Sequence, residues 1–298
     1  MDDFPVLSII GPGKVGTAIG VLAAHAGYPI VAVGGRHTES TIQAARRIGT
    51  HVRACGVTEA AERAEIVLIT VTDDAIESVC SEIAGKNAFN RNCIVAHCSG
   101  ALSSDILSTA RDSCQCFVAS MHPLQTFPTV DCAVKKLKGT YCFCEGDKEG
   151  LPVIERLAKR IGLMPIRICS SSKVLYHAAA VFACNYLVAL MDAAMNVAYL
   201  AKIDHSTAWM AFEPLVVSTI KNVAEVGLPQ ALTGPIARGD IETITAHLYK
   251  LELVDSSLAS IYRTMGCHTV GVALRKGSIT RDKAKEIRSV LQCREEGQ

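Results

Sequence analysis

The chain has 298 residues, and 30 Lys and Arg against 29 Asp and Glu give a net charge of +1 with neutral histidine. This near-zero charge and a 5% aromatic content argue against a nucleic-acid-binding protein, which needs a basic surface. A hydrophobic share of 49% with 20% charged residues excludes a disordered chain and is typical of a compact enzyme of two domains.

The first half of the sequence alternates short apolar runs with amphipathic segments. Runs rich in valine and isoleucine that lack polar alternation are typical of strands buried on both faces. Their alternation with helices predicts an α/β domain with a parallel sheet between two helical layers. The predicted strands are residues 6–10, 30–33, 66–71, 94–96, 117–120, 140–144 and 164–168, and the helices between them are 15–26, 39–48, 75–83, 104–111 and 147–161.

Strand patterns stop after residue 170, and helical periodicity continues to the end of the chain. The predicted helices are residues 173–201, 206–225, 240–251, 256–274 and 280–293. We therefore predict an α/β domain over residues 1–169 and an all-helical domain over residues 170–298.

A glycine-rich motif, Gly11-Pro12-Gly13-Lys14-Val15-Gly16, follows the first strand and opens the first helix. Gly11 permits a tight turn, Gly13 lets the backbone approach a pyrophosphate, and Gly16 lets helix and strand pack closely. The position between strand and helix distinguishes this motif from a glycine turn without a ligand. We predict that the motif binds a dinucleotide.

The end of the second strand predicts which dinucleotide is bound. NAD-binding proteins usually carry Asp or Glu here, where it holds the ribose hydroxyls. This chain has Arg36 instead, with Thr38 and Ser40 nearby. Because a guanidinium grips phosphate with two hydrogen bonds, we expect NADP(H) as the cofactor, the alternative being that Arg36 is a solvated surface residue.

Three further strand ends carry polar residues that are candidates for the cleft. Thr72 is expected to border the cofactor, and Asp73 or Asp74 to cap the next helix. Ser99 and Gly100 would contact the nicotinamide amide or the substrate, an ordinary turn being the alternative. After the strand predicted at residues 117–120, His122 lies in the loop Met121-His122-Pro123-Leu124-Gln125-Thr126-Phe127. It is a candidate for contact with the substrate, the alternative being a structural histidine.

The main catalytic candidates lie at the domain junction. Lys173, His177 and Asn185 are spaced i, i+4 and i+12, so they share one face of an apolar helix. A partly buried lysine can donate a proton to a carbonyl oxygen as hydride arrives, while His177 and Asn185 orient the carbonyl or relay the proton. The alternative is a capping lysine with two satisfied core polar groups.

The helical domain offers a substrate anchor in the loop from Thr233 to Asp240. Arg238 is the candidate for binding a carboxylate, with Thr233 as a hydrogen-bond donor and Asp240 as a helix N-cap. A salt bridge between Arg238 and that same aspartate is the alternative.

Three features of the sequence indicate the cellular compartment of the protein: its cysteines, its N-terminus and one apolar stretch. The 13 cysteines include no CxxC pair, so we expect no metal site and interpret them as buried thiols in a reducing cytoplasm. The acidic N-terminus shows no signal peptide. Residues 175–191 are apolar but short for a membrane span, and we expect a buried core helix there. The sequence therefore predicts a cytoplasmic protein that binds neither membrane nor nucleic acid.

Taken together, these motifs resemble a bacterial Rossmann-like oxidoreductase family whose C-terminal domain was long of unknown function. That family is similar to the ketopantoate reductase, β-hydroxyacid dehydrogenase and pyrroline-carboxylate reductase superfamily and to deazaflavin-dependent NADP reductases. The resemblance implies an NADP-binding Rossmann domain over residues 1–169. It also implies that residues 170–298 form a helical substrate and dimerisation domain of the 6-phosphogluconate dehydrogenase C-terminal type, and that the protein is a homodimer. In the hydroxyacid branch a Lys precedes an Asn by one turn; here Lys173 matches, but His177 occupies that turn and Asn comes only at Asn185.

The resemblance implies reduction of 2-dehydropantoate (ketopantoate) to pantoate in pantothenate biosynthesis as the first candidate function. The alternatives are reduction of an imine, reaction with a deazaflavin, and NADP(H) sensing without catalysis, since the fold alone does not exclude a sensor.

Overall fold

The computed structural model describes residues 4–293 and divides the chain into two compact units, Met1–Ala183 and Cys184–Gln298. The division lies later in the chain than the predicted boundary at residue 169. The short 3-10 turn Ser170–Ser172 and the helix Lys173–Ala183 belong to the first unit, because Lys173 at the start of that helix is buried there.

The first unit is a sheet with helices on both faces. Its strands are β1 (Leu7–Ile10), β2 (Ile30–Gly34), β3 (Arg53–Cys55), β4 (Ile66–Ile69), β5 (Ile94–His97), β6 (Phe117–Pro123), β7 (Tyr141–Gly146) and β8 (Met164–Arg167). Its helices are α1 (Lys14–His25), α2 (Thr38–Ile48), α3 (Val57–Ala61), α4 (Asp73–Gly85), α5 (Ser108–Cys114), α6 (Val130–Leu137), α7 (Leu151–Arg160) and α8 (Lys173–Ala183), with a 3-10 turn at Ser104–Leu107.

The strand order is β3-β2-β1-β4-β5-β6-β7-β8. All neighbouring strands are parallel except β6 and β7, which are antiparallel and correct the fully parallel sheet that we predicted. The order reverses direction between β1 and β4, and ligands of open α/β sheets bind in the crevice outside the strand ends at such a point. The sheet therefore places the end of β1 and the end of β4 at a ligand crevice.

Two apolar cores flank the sheet because successive strand residues point to opposite faces. Ile9 packs with residues of α1, α2, α6 and α7 on one face, whereas Ile10 packs with residues of α3, α4 and α5 on the other. Both neighbours are fully buried, which explains why the strands lack polar alternation.

The second unit is helical within its described residues. Its helices are α9 (Asn185–Leu200), α10 (His205–Val226), α11 (Leu228–Ala231), α12 (Pro235–Arg238), α13 (Ile241–Val254), α14 (Ser256–Lys276) and α15 (Arg281–Leu291). The predicted α/β domain followed by a helical domain is confirmed. A core that includes Ile244, Val270 and Ile287 joins α12 to α15. A disulfide between Cys267 and Cys293 links α14 to the residues after α15, so the expectation of thiols throughout is wrong.

The apolar stretch at residues 175–191 is not a buried core helix as predicted. Leu175 of α8 is 77% exposed and Val188 of α9 is 67% exposed. Within the described range, Ser170–Leu200 is a helical stretch long and apolar enough by length and composition to cross a membrane, which is weak evidence by itself. Leu175 and Val188 thus belong to none of the apolar cores of the described residues.

Candidate functional site

The turn after β1 has a conformation that only glycine fits well. Gly11 has a φ of +106°, and its N–H donates to the Gly34 carbonyl at 2.8 Å. A Cβ on Gly11 would lie 2.8 Å from the Thr70 carbonyl carbon, and a Cβ on Gly16 would lie 2.7 Å from the Gly11 oxygen. Close packing of β1, α1 and the end of β4 therefore requires both glycines.

The N-terminus of α1 opens onto this turn. Gly13 is the N-cap residue, and no side chain caps the helix. A Cβ added to Gly13 would meet only the Thr70 carbonyl oxygen, at 3.8 Å, so the loop is open beside it. Lys14 is exposed and Val15 is half-buried. Free N–H groups at a helix N-terminus attract an anion, so the loop fits the pyrophosphate of a dinucleotide.

A cavity of about 220 Å³ connects this loop with the ends of β2 and β4. Its lining combines the glycine motif with Arg36 and Thr72, two of the predicted cofactor contacts. The residues around it are Gly11, Pro12, Gly13, Gly35, Arg36, His37, Val57, Thr70, Val71, Thr72 and Val79. The cavity lies at the crevice that the strand order predicts for a ligand.

The end of β2 presents a base where NAD-binding proteins present an acid. Arg36 is exposed and lines the cavity, next to His37, which is the N-cap residue of α2. Thr38 is exposed in the first turn of α2, whereas the Ser40 hydroxyl donates to the His37 carbonyl at 3.0 Å. A guanidinium beside a helix N-terminus suits a phosphate ester, so these residues fit the ribose phosphate of NADP(H).

The Ser99 side chain joins two turns at the carboxyl edge of the sheet. Its hydroxyl donates to Asp73 Oδ2 at 2.8 Å and accepts from two backbone N–H groups of the following turn at 3.1 and 3.2 Å. Thr72, not Asp73 or Asp74, is the N-cap residue of α4. The Ser99 hydroxyl thus binds within the protein, and contact with a ligand would fall to the backbone of this turn.

His97, the last residue of β5, is fully buried and fixes the same turn. Its Nδ1 accepts from the Ser99 N–H at 3.1 Å, so the ring proton lies on Nε2, which is 3.1 Å from the Ser103 carbonyl. Burial, reinforced by the nearby charge of Lys173, lowers the pKa of His97 to about 4. The ring is therefore neutral at physiological pH.

Lys173 is buried beneath the turn and is 1% exposed. Its Nζ donates to the Ser99 carbonyl at 3.0 Å and to the Ser120 hydroxyl, and it lies 3.4 Å from Glu145 Oε1. These three partners come from the β5 turn, from β6 and from β7. The ammonium thus ties three segments at the sheet edge, and each of its three protons has an acceptor.

The Glu145 carboxylate is held equally firmly. It accepts from the Ser104 N–H and hydroxyl, both at 2.8 Å, and from the Ser170 hydroxyl at 2.9 Å. Burial alone would raise its pKa, but these hydrogen bonds and the charge of Lys173 lower it. Burial lowers the pKa of Lys173, and the charge of Glu145 offsets part of that change. The pair is a hydrogen-bonded ion pair inside the fold.

His122 lies on β6, not in a loop as predicted. β6 runs to Pro123 because His122 and Pro123 pair with Phe143 and Cys142 of antiparallel β7. His122 Nδ1 lies 2.8 Å from Tyr176 Oη, and its ring centroid is 6.1 Å from that of His177. The strand thus delivers His122 to two residues of α8.

The three catalytic candidates do not form one buried stripe. Lys173 is buried, His177 is half-buried, and Asn185 is exposed at the start of α9 in the second unit. The helix predicted over residues 173–201 is divided, since α8 ends at Ala183 and α9 begins at Asn185.

The substrate-anchor candidates lie within the second unit. Thr233 lines a cavity of about 290 Å³ together with His247 and Tyr262. The Arg238 side chain is 65% exposed, and its Nη2 lies 3.8 Å from Asp240 Oδ2. Asp240 is the N-cap residue of α13 and accepts from the Thr243 N–H at 3.1 Å, as predicted.

Several residues that shape the site had no recognisable pattern in the sequence. Glu145 is the exception, because an acidic residue in the otherwise mostly apolar strand Tyr141–Gly146 could have marked it as a candidate. Tyr176 and His97 belong to no motif or regular spacing that would identify them as site residues. His37 was not proposed because Arg36, next to it, was the candidate for binding phosphate. Among residues 4–293, no cluster of histidine, cysteine and acidic residues is arranged to hold a metal ion.

Two known domain families match successive parts of the chain. A Rossmann-like domain matches residues 5–123, and a domain of unknown function, DUF2520, matches residues 140–269. No curated protein matches the sequence.

Solved structures share the fold at low sequence identity. A Bacteroides fragilis protein named as an NADP oxidoreductase is 21% identical with a TM-score of 0.71, covering 88% of this chain and 96% of its own. Protein TM1727 from Thermotoga maritima is 23% identical with a TM-score of 0.69, covering 96% and 98%. A pyrroline-5-carboxylate reductase from Coxiella burnetii is 18% identical with a TM-score of 0.54, covering 94% and 97%. The chain thus joins a Rossmann-like domain to a DUF2520 domain, which confirms the family resemblance of its motifs.

Proposed function

We propose that the protein is an NADP(H)-dependent oxidoreductase that reduces a C=O or C=N bond of a small substrate. The observation that carries this proposal is the cleft at the ends of β1, β2 and β4. An open glycine loop lies on one side of it, and Arg36 stands where NAD sites typically have an acid. Polar residues at the ends of β5 and β6 supply a second half to the site, at the same edge of the sheet.

The names of the structural neighbours support this assignment. They include the NADP oxidoreductase and the pyrroline-5-carboxylate reductase described above, a Plasmodium falciparum pyrroline carboxylate reductase with NADP bound, and an imine reductase from Bacillus cereus. Their fold matches both units of this chain, and every one of these names describes an oxidoreductase or a reductase.

The bound nicotinamide would supply the hydride, and the residues of this chain would position the acceptor and provide its proton. The predicted role of Lys173 as proton donor would require its ammonium to leave Ser99, Ser120 and Glu145. We therefore propose that Lys173 is a positioning residue, because it holds the turn at Ser99 against β6 and β7. Loss of this residue would misplace the turn that faces the substrate.

The substrate proposal follows the family resemblance. Ketopantoate is the first candidate, with pantoate as product in pantothenate biosynthesis, and Arg238 and Thr233 are proposed as carboxylate contacts. A cyclic imine is the second candidate, since neighbours named as pyrroline-carboxylate and imine reductases share the fold. The enzyme is proposed to be cytoplasmic.

The test is NADPH oxidation by the purified protein with ketopantoate, a cyclic imine and a deazaflavin, each run beside NADH. Turnover of one substrate with a clear preference for NADPH would support the assignment and identify the class. NADPH binding without turnover of any of them would favour the sensor function instead. Absence of NADPH binding would overturn the proposal.

We also propose that a second copy of the chain covers the exposed apolar helices. Exposed residues are concentrated on α8, α9 and α10, including Leu175, Val188 and Leu215 at 77%, 67% and 63% exposure. A bilayer is a poor alternative, because Lys173 at the start of this stretch is fixed inside the first unit. Exposed apolar patches of this kind mark protein interfaces.

Light scattering after size-exclusion chromatography tests this proposal. The wild type is expected at twice the monomer mass, and Val188→Glu at the monomer mass. Met164→Glu, which changes an exposed residue of β8, is the matched control and should remain dimeric. A monomeric wild type, or binding to lipid vesicles without dimerisation, would contradict it.

A further inference from the structure

β6 extends past the strand beside it. Its pairing with β5 ends at Ser120, opposite His97, while the pairing with β7 continues to Pro123. His122 therefore lies beyond the last residue of β5, at the sheet edge where ligands of this fold bind. The strand thus places a half-buried imidazole at this edge of the sheet.

Tyr176 fixes one side of the His122 ring. Its Oη lies 2.8 Å from His122 Nδ1, and its own ring packs on Phe143 with centroids 4.1 Å apart. Within residues 4–293, Nδ1 is the acceptor in reach of the phenol proton. The contact allows the phenol to donate to Nδ1, and this arrangement places the proton of the neutral imidazole on Nε2.

Gly100 leaves room for the opposite side of that ring. A Cβ on Gly100 would lie 2.9 Å from His122 Nε2 and 2.6 Å from His177 Cδ2. Both imidazoles thus lie against the backbone of the β5 turn, where a side chain would displace them. The His122 Nε2–H has no hydrogen-bond acceptor among the described residues, in contrast to the fully engaged ammonium of Lys173.

We propose that His122 Nε2–H is the group that donates to the reducible C=O or C=N of the substrate, and that Tyr176 is the positioning residue that sets the His122 tautomer. This inference rests on the proposed reductase function and assigns the acid of that same site.

His122 and Tyr176 together can pass a proton to the substrate. A bound reduced nicotinamide would supply the hydride to the substrate carbon, and His122 Nε2 would give its proton to the substrate oxygen or nitrogen. The Tyr176 hydroxyl gives its proton to Nδ1, which keeps the imidazole neutral. One proton taken up from bulk solvent then neutralises the phenolate oxygen. Loss of the Nδ1 proton to solvent and gain of one at Nε2 restore the starting tautomer, so each turnover consumes one solvent proton.

Burial and neighbouring charges keep both groups in the required forms. Burial, then the charges of Lys173 and His177, lower the pKa of His122 to about 4, and only Asp73 acts in the opposite direction. Burial raises the pKa of Tyr176. The pair is therefore an uncharged phenol and an uncharged imidazole at physiological pH.

The first experiment measures the tautomer on the protein itself. Nitrogen-15 NMR of the wild type should show His122 as a neutral ring with its proton on Nε2, and Tyr176→Phe should shift it toward a mixture of tautomers. A wild-type proton on Nδ1, or a spectrum unchanged in Tyr176→Phe, would overturn the assignment whether or not a substrate is known.

The second experiment measures turnover with whichever substrate the wild type reduces. Tyr176→Phe should lower kcat by about tenfold, while the Kd for NADPH changes less than about twofold. His122→Gln, which keeps an N–H near Nε2, should be at least about tenfold faster than His122→Asn, which places its amide near Nδ1. Tyr141→Phe removes a hydroxyl from a tyrosine that is 52% exposed and serves as the control.

Two outcomes separate this inference from the proposed function. Normal kcat in His122→Asn with an active wild type would refute His122 as the donor and leave the reductase assignment intact. If the wild type reduces no substrate, the proposed function fails, and the tautomer measurement still decides whether Tyr176 sets the His122 proton.

Discussion

Lys173 Nζ lies 3.4 Å from Glu145 Oε1, and their side chains are only 2% and 3% exposed. Serine hydroxyls and backbone groups bind the remaining protons and lone pairs of this pair, so the burial of two charges is compensated. The pair connects α8 with β7 and with the turn after β5. It therefore fixes the start of α8 within the first unit.

Removal of one partner of this pair should destabilise the protein strongly. Lys173→Met leaves the Glu145 carboxylate buried without its cation, so the free energy of unfolding should fall by about 3–5 kcal/mol. Urea denaturation followed by circular dichroism measures this change. The double variant Lys173→Met, Glu145→Gln should recover part of the loss, because no unpaired charge then remains.

An exposed pair provides the control for that measurement. Lys86, the C-cap residue of α4, lies 3.0 Å from Glu82 of that helix, and their side chains are 58% and 48% exposed. Lys86→Met should cost less than about 1 kcal/mol. Equal losses in the two lysine variants would show that the buried pair has no special role.

Gly13 and Gly16 should respond to alanine in opposite ways. Gly16→Ala forces its Cβ against the Gly11 oxygen and the Thr70 side chain, so it should lower stability by about 1–3 kcal/mol. Gly13→Ala meets open space, so it should fold normally and weaken NADPH binding by about tenfold or more, because the methyl group occupies the approach to the helix N-terminus. Thermal unfolding and fluorescence titration with NADPH separate these effects.

Arg36 should determine the preference between the two dinucleotides. Arg36→Gln removes the cation proposed to bind the ribose phosphate, so the Kd for NADPH should rise by about 10- to 100-fold. The Kd for NADH, which lacks that phosphate, should change by less than about threefold. The comparison is made by titration of both cofactors. An equal loss of affinity for NADPH and NADH would mean that Arg36 does not bind the ribose phosphate.

The main elements of the fold could be predicted from the sequence because buried strands and amphipathic helices have distinct periodicities. The three-residue strand β3 was missed, since Arg53–Cys55 is short and begins with an exposed charge. The antiparallel direction of β7 was missed because strand direction depends on which edge of the sheet the chain reaches. Local pattern carries no information about that choice.

The site could be predicted only where function requires a local motif. The glycine loop and Arg36 are contiguous with strand ends, so the sequence alone places them at one crevice. The partners of Lys173 are 74, 53 and 28 residues away in sequence, and only the folded sheet brings Ser99, Ser120 and Glu145 to its ammonium. For the same reason Tyr176 could not be linked to His122 beforehand.

His97 should make stability fall as the pH is lowered from about 6.5 to 4. Its folded pKa of about 4 lies below the ordinary value of 6.5, so the unfolded chain binds more protons in this range. Stability is then greatest above pH 6.5, and protonation of the unfolded state removes up to about 3 kcal/mol by pH 4. His97→Asn, measured by urea denaturation across this range, should be less stable at pH 7 and should show a flatter pH dependence. His25→Asn, which removes an exposed imidazole, is the control. An unchanged pH dependence in His97→Asn would show that other groups cause the loss of stability in acid.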